Sequence, residues 1–171
     1  MKGAAMPNRI SHYLLSILCI GCIIFLISRY GIQLYQVSGR SMEPTYSSGS
    51  FLLVQKFGMP ERVSRFDVVT IRSKNLGNRI ILKRVIGLPG ETVQILDGTV
   101  YIDGAPLSEP SFLVSQNISD PGKASAPIVL GDNEYFVLGD NRPESIDSRS
   151  DKVGLIPADS ITGKVINLIS F

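Results

Sequence analysis

From Tyr13 to Ser28 the chain runs through 16 residues without a charge, Tyr-Leu-Leu-Ser-Ile-Leu-Cys-Ile-Gly-Cys-Ile-Ile-Phe-Leu-Ile-Ser. As a helix rising ~1.5 Å per residue it would measure roughly 24 Å, slightly short of a ~30 Å hydrocarbon core. The difference closes if Arg29 snorkels, Tyr30 and Ile32 sit at one interface, and His12 and Tyr13 sit at the other. A cleaved leader has the same basic start and apolar centre, but it ends in a small-x-small cleavage pattern. Here the run gives way to Arg29-Tyr30-Gly31-Ile32-Gln33-Leu34-Tyr35, which has no such pattern. The expectation is an uncleaved single-pass anchor. Lys2, Arg9 and the terminal amine outweigh Arg29, so residues 1–12 are expected to form a cytoplasmic tail. Residues 13–35 are then the transmembrane and juxtamembrane segment, and 36–171 a domain outside the membrane. The chain's two cysteines, Cys19 and Cys22, both fall in this run. With no second pair to complete a metal site, they read as small hydrophobes.

The net charge of +2 belongs to the N-terminus. Lys2, Arg9 and Arg29 precede Gly31 with no acid among them, and the remainder of the 17 basic and 15 acidic residues nearly cancel. A nucleic-acid-binding domain needs a basic face, so nucleic acid is excluded as a partner.

Beyond the anchor the pattern turns to strands. Residues 50–55, 66–71 and 80–86 are short and rich in β-branched or aromatic side chains. Residues 92–96 and 99–102 flank Asp97-Gly98, a strong hairpin signal. Residues 134–138 and 161–166 supply two more. These predict an all-β domain of antiparallel sheets, barrel-like or packed, with no long amphipathic helix. Residues 104–133, rich in Ser, Pro, Gly, Asn and Ala, read as a long loop or small insertion.

Three stretches carry candidate chemistry. In Val37-Ser38-Gly39-Arg40-Ser41-Met42-Glu43-Pro44-Thr45, Ser41 lies between a residue free to take unusual angles and one locked in φ, so it is expected on a turn. A nucleophilic serine needs a base, and the single histidine, His12, precedes the anchor. A Ser-His-Asp triad within one chain is thereby excluded. Lys83 shares a strand face with Ile81 and Val85, opposite Leu82 and Arg84. At its reference pKa of ~10.4 an amine is protonated and useless as a base, but apolar burial lowers that value. The third stretch, Gly139 to Arg149, packs turn formers with both signs of charge. Asp140, Asp147, Arg142 and Arg149 can pair there to fix a loop, leaving a serine hydroxyl to hold an amine.

In this order the stretches resemble bacterial type I signal peptidases, membrane-bound Ser/Lys endopeptidases that remove signal peptides from exported proteins. The resemblance runs from the anchor to residue 171. It rests on Ser41 to Thr45, Arg65-Phe66-Asp67-Val68-Val69, Lys83 to Glu91, and Gly139 to Arg149. It implies Ser41 as nucleophile, Lys83 as general base, and Ser145 as the serine hydrogen-bonding the lysine amine. Asp140, Asp147 and Arg149 match positions that shape the site, and Val37, Met42, Tyr46 and Leu82 are the candidate substrate contacts. The implied partners are preproteins with small residues just before the cleaved bond and two positions earlier, the lipid bilayer, and nearby export machinery. The implied location is the outer face of a bacterial cytoplasmic membrane, with no metal or organic cofactor.

Three features depart from the family pattern. Gly39 stands where some members place a serine that completes the oxyanion hole, leaving the Ser41 N–H to supply most of it. Tyr46 replaces a usual leucine, and Ser150-Asp151-Lys152-Val153 is a longer spacer before Gly154 than expected. Two rival readings are a Ser/Lys self-cleaving protein of the repressor type and a catalytically silent membrane-anchored β scaffold for export partners. The apolar anchor argues against the first, and the intact trio of Ser41, Lys83 and Ser145 against the second.

Overall fold

The structure is a computed structural model that describes residues 9–56, 63–114 and 117–166. It begins with a 22-residue helix, α1 (Arg9–Tyr30). Tyr13, Leu14, Leu15, Ile17, Leu18, Ile20, Ile23, Ile24 and Phe25 are exposed along it. Cys19 and Cys22 are free thiols there. Among the described residues, no helix is long and apolar enough to cross a membrane. The expected positions of the Arg29 and Tyr30 side chains, and the tail from 1 to 8, lie outside the described residues.

The strands are β1 (Ile32–Gln36), β2 (Phe51–Gln55), β3 (Val68–Ser73), β4 (Arg79–Gly87), β5 (Thr92–Leu96), β6 (Thr99–Ile102), β7 (Ala105–Pro106), β8 (Ile128–Val129), β9 (Glu134–Leu138), β10 (Ile156–Pro157) and β11 (Ile161–Ile166). They form a seven-stranded sheet, ordered β1-β2-β11-β3-β4-β9-β10, and a four-stranded sheet, ordered β7-β6-β5-β8. Every pairing among them is antiparallel. The all-β expectation therefore holds as two sheets; neither strand order closes into a barrel.

Local signals placed the hairpin well. β5 and β6 occupy the expected residues, and Asp97 and Gly98 turn at φ 47° and 78°, the left-handed pair that a tight two-residue hairpin demands. β1 is a strand where the sequence pattern shows only a juxtamembrane segment. It pairs with β2 from Ile32↔Gln55 to Gln36↔Phe51, so its regularity is supplied by a partner rather than by its own pattern.

One core lies between the sheets, joining Ile86, Phe136 and Leu138 of the larger sheet to Val93, Ile95 and Val100 of the smaller. Residues 104–133 contribute to it through Ile118, Ala124 and Leu130. The segment also carries β7, a helical turn at Ser111–Val114, a 3-10 turn at Gly122–Ser125 and β8. It is packed structure rather than slack loop, because apolar residues spaced along it are drawn into the core. A second cluster gathers Val69, Ile71, Val85, Tyr135 and Val137, and a third gathers Val37, Met42, Val54, Val68, Leu82 and Val165.

Candidate active site

Lys83 lies in β4, between β3 and β9, in the interior of the larger sheet. The register pairs Lys83 with Val69 and Val85 with Val137. Opposed residues share a face, so Lys83 stands among Val69, Val85 and Val137. Only 3% of it is exposed. Removal from water disfavours the ammonium, and this is the main reason its pKa falls from 10.5 to about 8. The Asp147 carboxylate opposes the fall, Arg149 adds to it, and Asp140 opposes it weakly. Arg84 belongs to the opposite face, paired with Val68 and Leu138.

Ser41 sits on a turn, as its neighbours dictate. Gly39 takes φ +91° with open space around it, and the chain folds back through the Tyr46 N–H to Met42 carbonyl bond of 2.8 Å. Met42 is the anchor of this turn, buried in the third cluster with Val37 and Leu82, while Tyr46 packs partly against it. The four candidate substrate contacts thus belong to one apolar patch beside the Ser41 turn. Burial raises the Tyr46 phenol, with Arg84 lowering it and Asp140 raising it, so the ring lies in the field of that pair.

Both elements converge on Gly139. A Cβ at Gly139 would overlap Ser145 Oγ and the Ser41 carbonyl oxygen, so only glycine lets the two serines approach this closely. The Gly139 N–H donates to Asp147 Oδ2 at 3.1 Å. Asp147, fully buried, accepts from Arg149 Nε at 2.8 Å and Nη2 at 2.9 Å. Asn141 closes the seam from the other side: its N–H donates to the Ser41 carbonyl at 3.1 Å and its side-chain amide to the Arg40 carbonyl at 3.1 Å. Ser41, Ser145, Asp147 and Asn141 therefore surround one glycine at the end of β9, the strand beside Lys83.

Two expected contacts take another form. Asp140 and Arg142 do not pair within the loop. Asp140 receives Arg84 Nε at 2.8 Å and Nη2 at 2.6 Å, and Arg142 forks onto both carboxylate oxygens of Glu109. The planar guanidinium seeks a carboxylate it can meet with two donors, and the nearest such geometry lies outside the loop. The Ser145 hydroxyl does not hold the Lys83 amine: it is buried without a hydrogen-bond partner among the described residues. It faces the bare Cα of Gly139 instead.

The family described as signal peptidase, peptidase S26 matches residues 10–169. Signal peptidase I of Bacillus licheniformis is 34% identical over 170 residues, covering 95% of this chain and 89% of that one. Signal peptidase IB of Staphylococcus aureus (strain COL) is 30% identical over 174 residues, covering 94% and 89%. The chain belongs to the signal peptidase family, peptidase S26. A crystal structure of a signal peptidase I from Enterococcus faecalis V583 superposes with a TM-score of 0.52 at 34% identity. It covers 61% of this chain and 97% of that one.

Within this signal peptidase frame, the three departures take definite shapes. Gly39 has open space where a side chain would stand, and among the described residues nothing accepts from the Ser41 N–H. Tyr46 extends an apolar patch into the field of an ion pair. The 150–153 spacer folds as a turn: Val153 and Gly154 N–H groups both return to the Ser150 carbonyl, at 3.1 and 2.8 Å, and Val153 is buried in the second cluster. Sequence reasoning passed over Glu109 and Asn141. Glu109 is the sole charged residue between Asp103 and Asp120, a signal that was available: an isolated charge in a packed segment needs a partner.

Proposed function

We propose that this chain is a membrane-anchored serine endopeptidase that removes signal peptides from exported preproteins, with Ser41 as nucleophile and Lys83 as general base. The observation that carries the reading is a lysine held 3% exposed, its pKa brought to about 8, beside a loop that touches Ser41. At pH 7 roughly one such amine in ten is neutral, about 300-fold more than for an unperturbed lysine. That fraction is what a base for a serine hydroxyl needs.

Ser41 Oγ attacks the scissile carbonyl while Lys83 Nζ takes its proton. The oxyanion meets the Ser41 N–H. Collapse expels the new N-terminus of the mature protein, which takes the proton from Lys83. Water then attacks the ester under the same base. Ser145, whose hydroxyl has no partner among the described residues, is assigned to steady the amine in the substrate complex, where catalytic hydrogen bonds tighten. Asp147 and Arg149 fix Gly139 and hence Ser145.

The uncharged run from Tyr13 to Ser28 and the exposed apolar side chains along α1 support an anchor, with the tail inside and the domain on the outer face, where preproteins and export machinery meet the bilayer. Val37, Met42, Leu82 and Tyr46, one apolar cluster beside the Ser41 turn, are the residues assigned to small substrate side chains.

The test is cleavage of a preprotein by the detergent-solubilised chain, with N-terminal sequencing of the product. Ser41→Ala, Lys83→Ala and Lys83→Arg are expected to be inactive, the last because guanidinium keeps its proton. kcat/KM should climb with pH through about 8. An active Lys83→Arg enzyme, or an ascending limb near 10.5, would refute the buried base.

A further inference from the structure

We propose that Asn141 is a positioning residue that aims the oxyanion-binding N–H of Ser41. The inference rests on Ser41 being the nucleophile and its own N–H the donor. The geometry behind it is a property of one peptide plane. The carbonyl of Arg40 and the N–H of Ser41 belong to the same peptide group, and the bond is trans. In a trans peptide these two groups point in opposite directions and turn together. Whatever holds the Arg40 carbonyl therefore sets where the Ser41 N–H points.

Two donors hold that carbonyl. One is local, the Glu43 N–H at 3.2 Å, and belongs to the turn itself. The other is the Asn141 side-chain amide at 3.1 Å, from a residue 101 positions away. The next carbonyl, that of Ser41, accepts from the Asn141 backbone N–H at 3.1 Å. One residue thus grips two successive carbonyls and fixes both peptide planes that flank the nucleophile's Cα. Its second amide hydrogen is directed at Glu144 Oε2, at 3.4 Å. Glu144 faces Arg40 Nη1 at 3.8 Å, so the side chain is braced from behind.

The turn needs this brace because Gly39 precedes it. At φ +91° with nothing within 4 Å of a Cβ, Gly39 places no steric wall beside the 40–41 peptide. A peptide free to rock would aim its N–H at the oxyanion only part of the time, and the reorganisation would fall in the transition state. The two side-chain amide bonds are exposed, so their weight is geometric rather than a large share of folding stability.

The role predicts a particular kinetic pattern. The Ser41 N–H meets charge that exists only in the transition state, so its misdirection lowers kcat and leaves KM in place. Asn141→Ala should lower kcat by about 10- to 100-fold, less than outright removal of an oxyanion donor, because Glu43 still holds the carbonyl. Asn141→Asp should fall at least as far, since a carboxylate oxygen would oppose the Arg40 carbonyl. A peptide aldehyde, which forms a tetrahedral adduct with a serine, should lose affinity for Asn141→Ala in proportion to kcat. In Asn141→Ala the ascending pH limb should stay where it is, because that change adds no charge near Lys83. These are measured on the full detergent-solubilised chain beside wild type and Ser41→Ala.

A wild-type kcat in both variants, with Ser41→Ala inactive, overturns the Asn141 role and leaves the nucleophile standing. An active Ser41→Ala enzyme overturns the underlying reading itself. If Asn141→Ala does not fold, the decision passes to the near-isosteric Asn141→Asp. A loss confined to KM, or a shifted pH limb in Asn141→Ala, overturns the proposal.

Discussion

The two sheets of this molecule are stabilised in different ways. The core they share, reached from β5 and β6, is apolar throughout: Val93, Ile95 and Val100 meet Ile86, Phe136 and Leu138. The larger sheet and the loop beyond β9 instead bury Lys83, Arg84, Asp140, Arg142, Asp147 and Arg149. Burying charge is unfavourable unless every group is paired, and replacing such pairs by apolar residues is often neutral or better. The first region is built to fold. The second keeps charges that folding alone would discard, and three of them, Asp147, Arg149 and Asp140, act on the buried Lys83 amine.

The sharpest way to break that contrast is at Glu109 and Arg142. Arg142 is 1% exposed and its Nε has no hydrogen-bond partner among the described residues, so the fork to Glu109 is its main compensation. Glu109→Ala should lower the unfolding free energy by about 3–5 kcal/mol in urea titration. The paired swap Glu109→Leu with Arg142→Met should recover most of that stability while activity stays reduced. If the paired swap restored activity as well, the ion pair would have no part in the site.

A smaller effect of opposite sign is expected at Lys83. Its folded pKa lies below its unfolded value, so the unfolded chain binds more protons between the two. Above 10.5 the group is neutral in both states; as pH falls toward about 8 it destabilises the fold, and below that the loss is complete. The loss amounts to roughly 3 kcal/mol at neutral pH. Lys83→Met should therefore be inactive yet more stable at pH 7, with a flatter stability profile between those limits. A less stable Lys83→Met protein would show that the lysine is a structural group.

The least effect belongs to the shared core. Ile95→Val removes one buried methylene and should destabilise by about 1 kcal/mol with kcat unchanged. A marked fall in kcat there would mean that the small sheet positions the site directly.

What was legible in the sequence follows the same division. Hairpins and turns are local, so β5, β6 and the Ser41 turn could be read from adjacent residues. So could the candidacy of Lys83 as a base, because the single histidine precedes the apolar run. β1, β8 and β10 could not, since short edge strands exist through distant partners. The partner of Asp140 is 56 positions away and that of Arg142 is 33. Within the Gly139–Arg149 stretch the charges looked able to satisfy one another, and only the third dimension showed that two of them reach out of it.

The adjacency of Lys83 and Arg84 has a consequence for insertions and deletions. On one strand the two cations serve opposite sides, the first as the titrating amine and the second as the permanent charge on Asp140. Slipping β4 by a single residue would deliver a guanidinium to the place of the amine. Four residues on, Gly87 marks where pairing with β9 shifts, and a Cβ there would run into Val93 Cγ2 at 2.5 Å and Leu130 Cδ1 at 2.8 Å. That glycine acts as a stop. The spacing from Lys83 to Gly87 is therefore a gauge length: with Gly87 fixed, one residue added after Arg84 brings that arginine to the lysine's place and one removed brings Leu82, so either change leaves a β domain with no amine at that position.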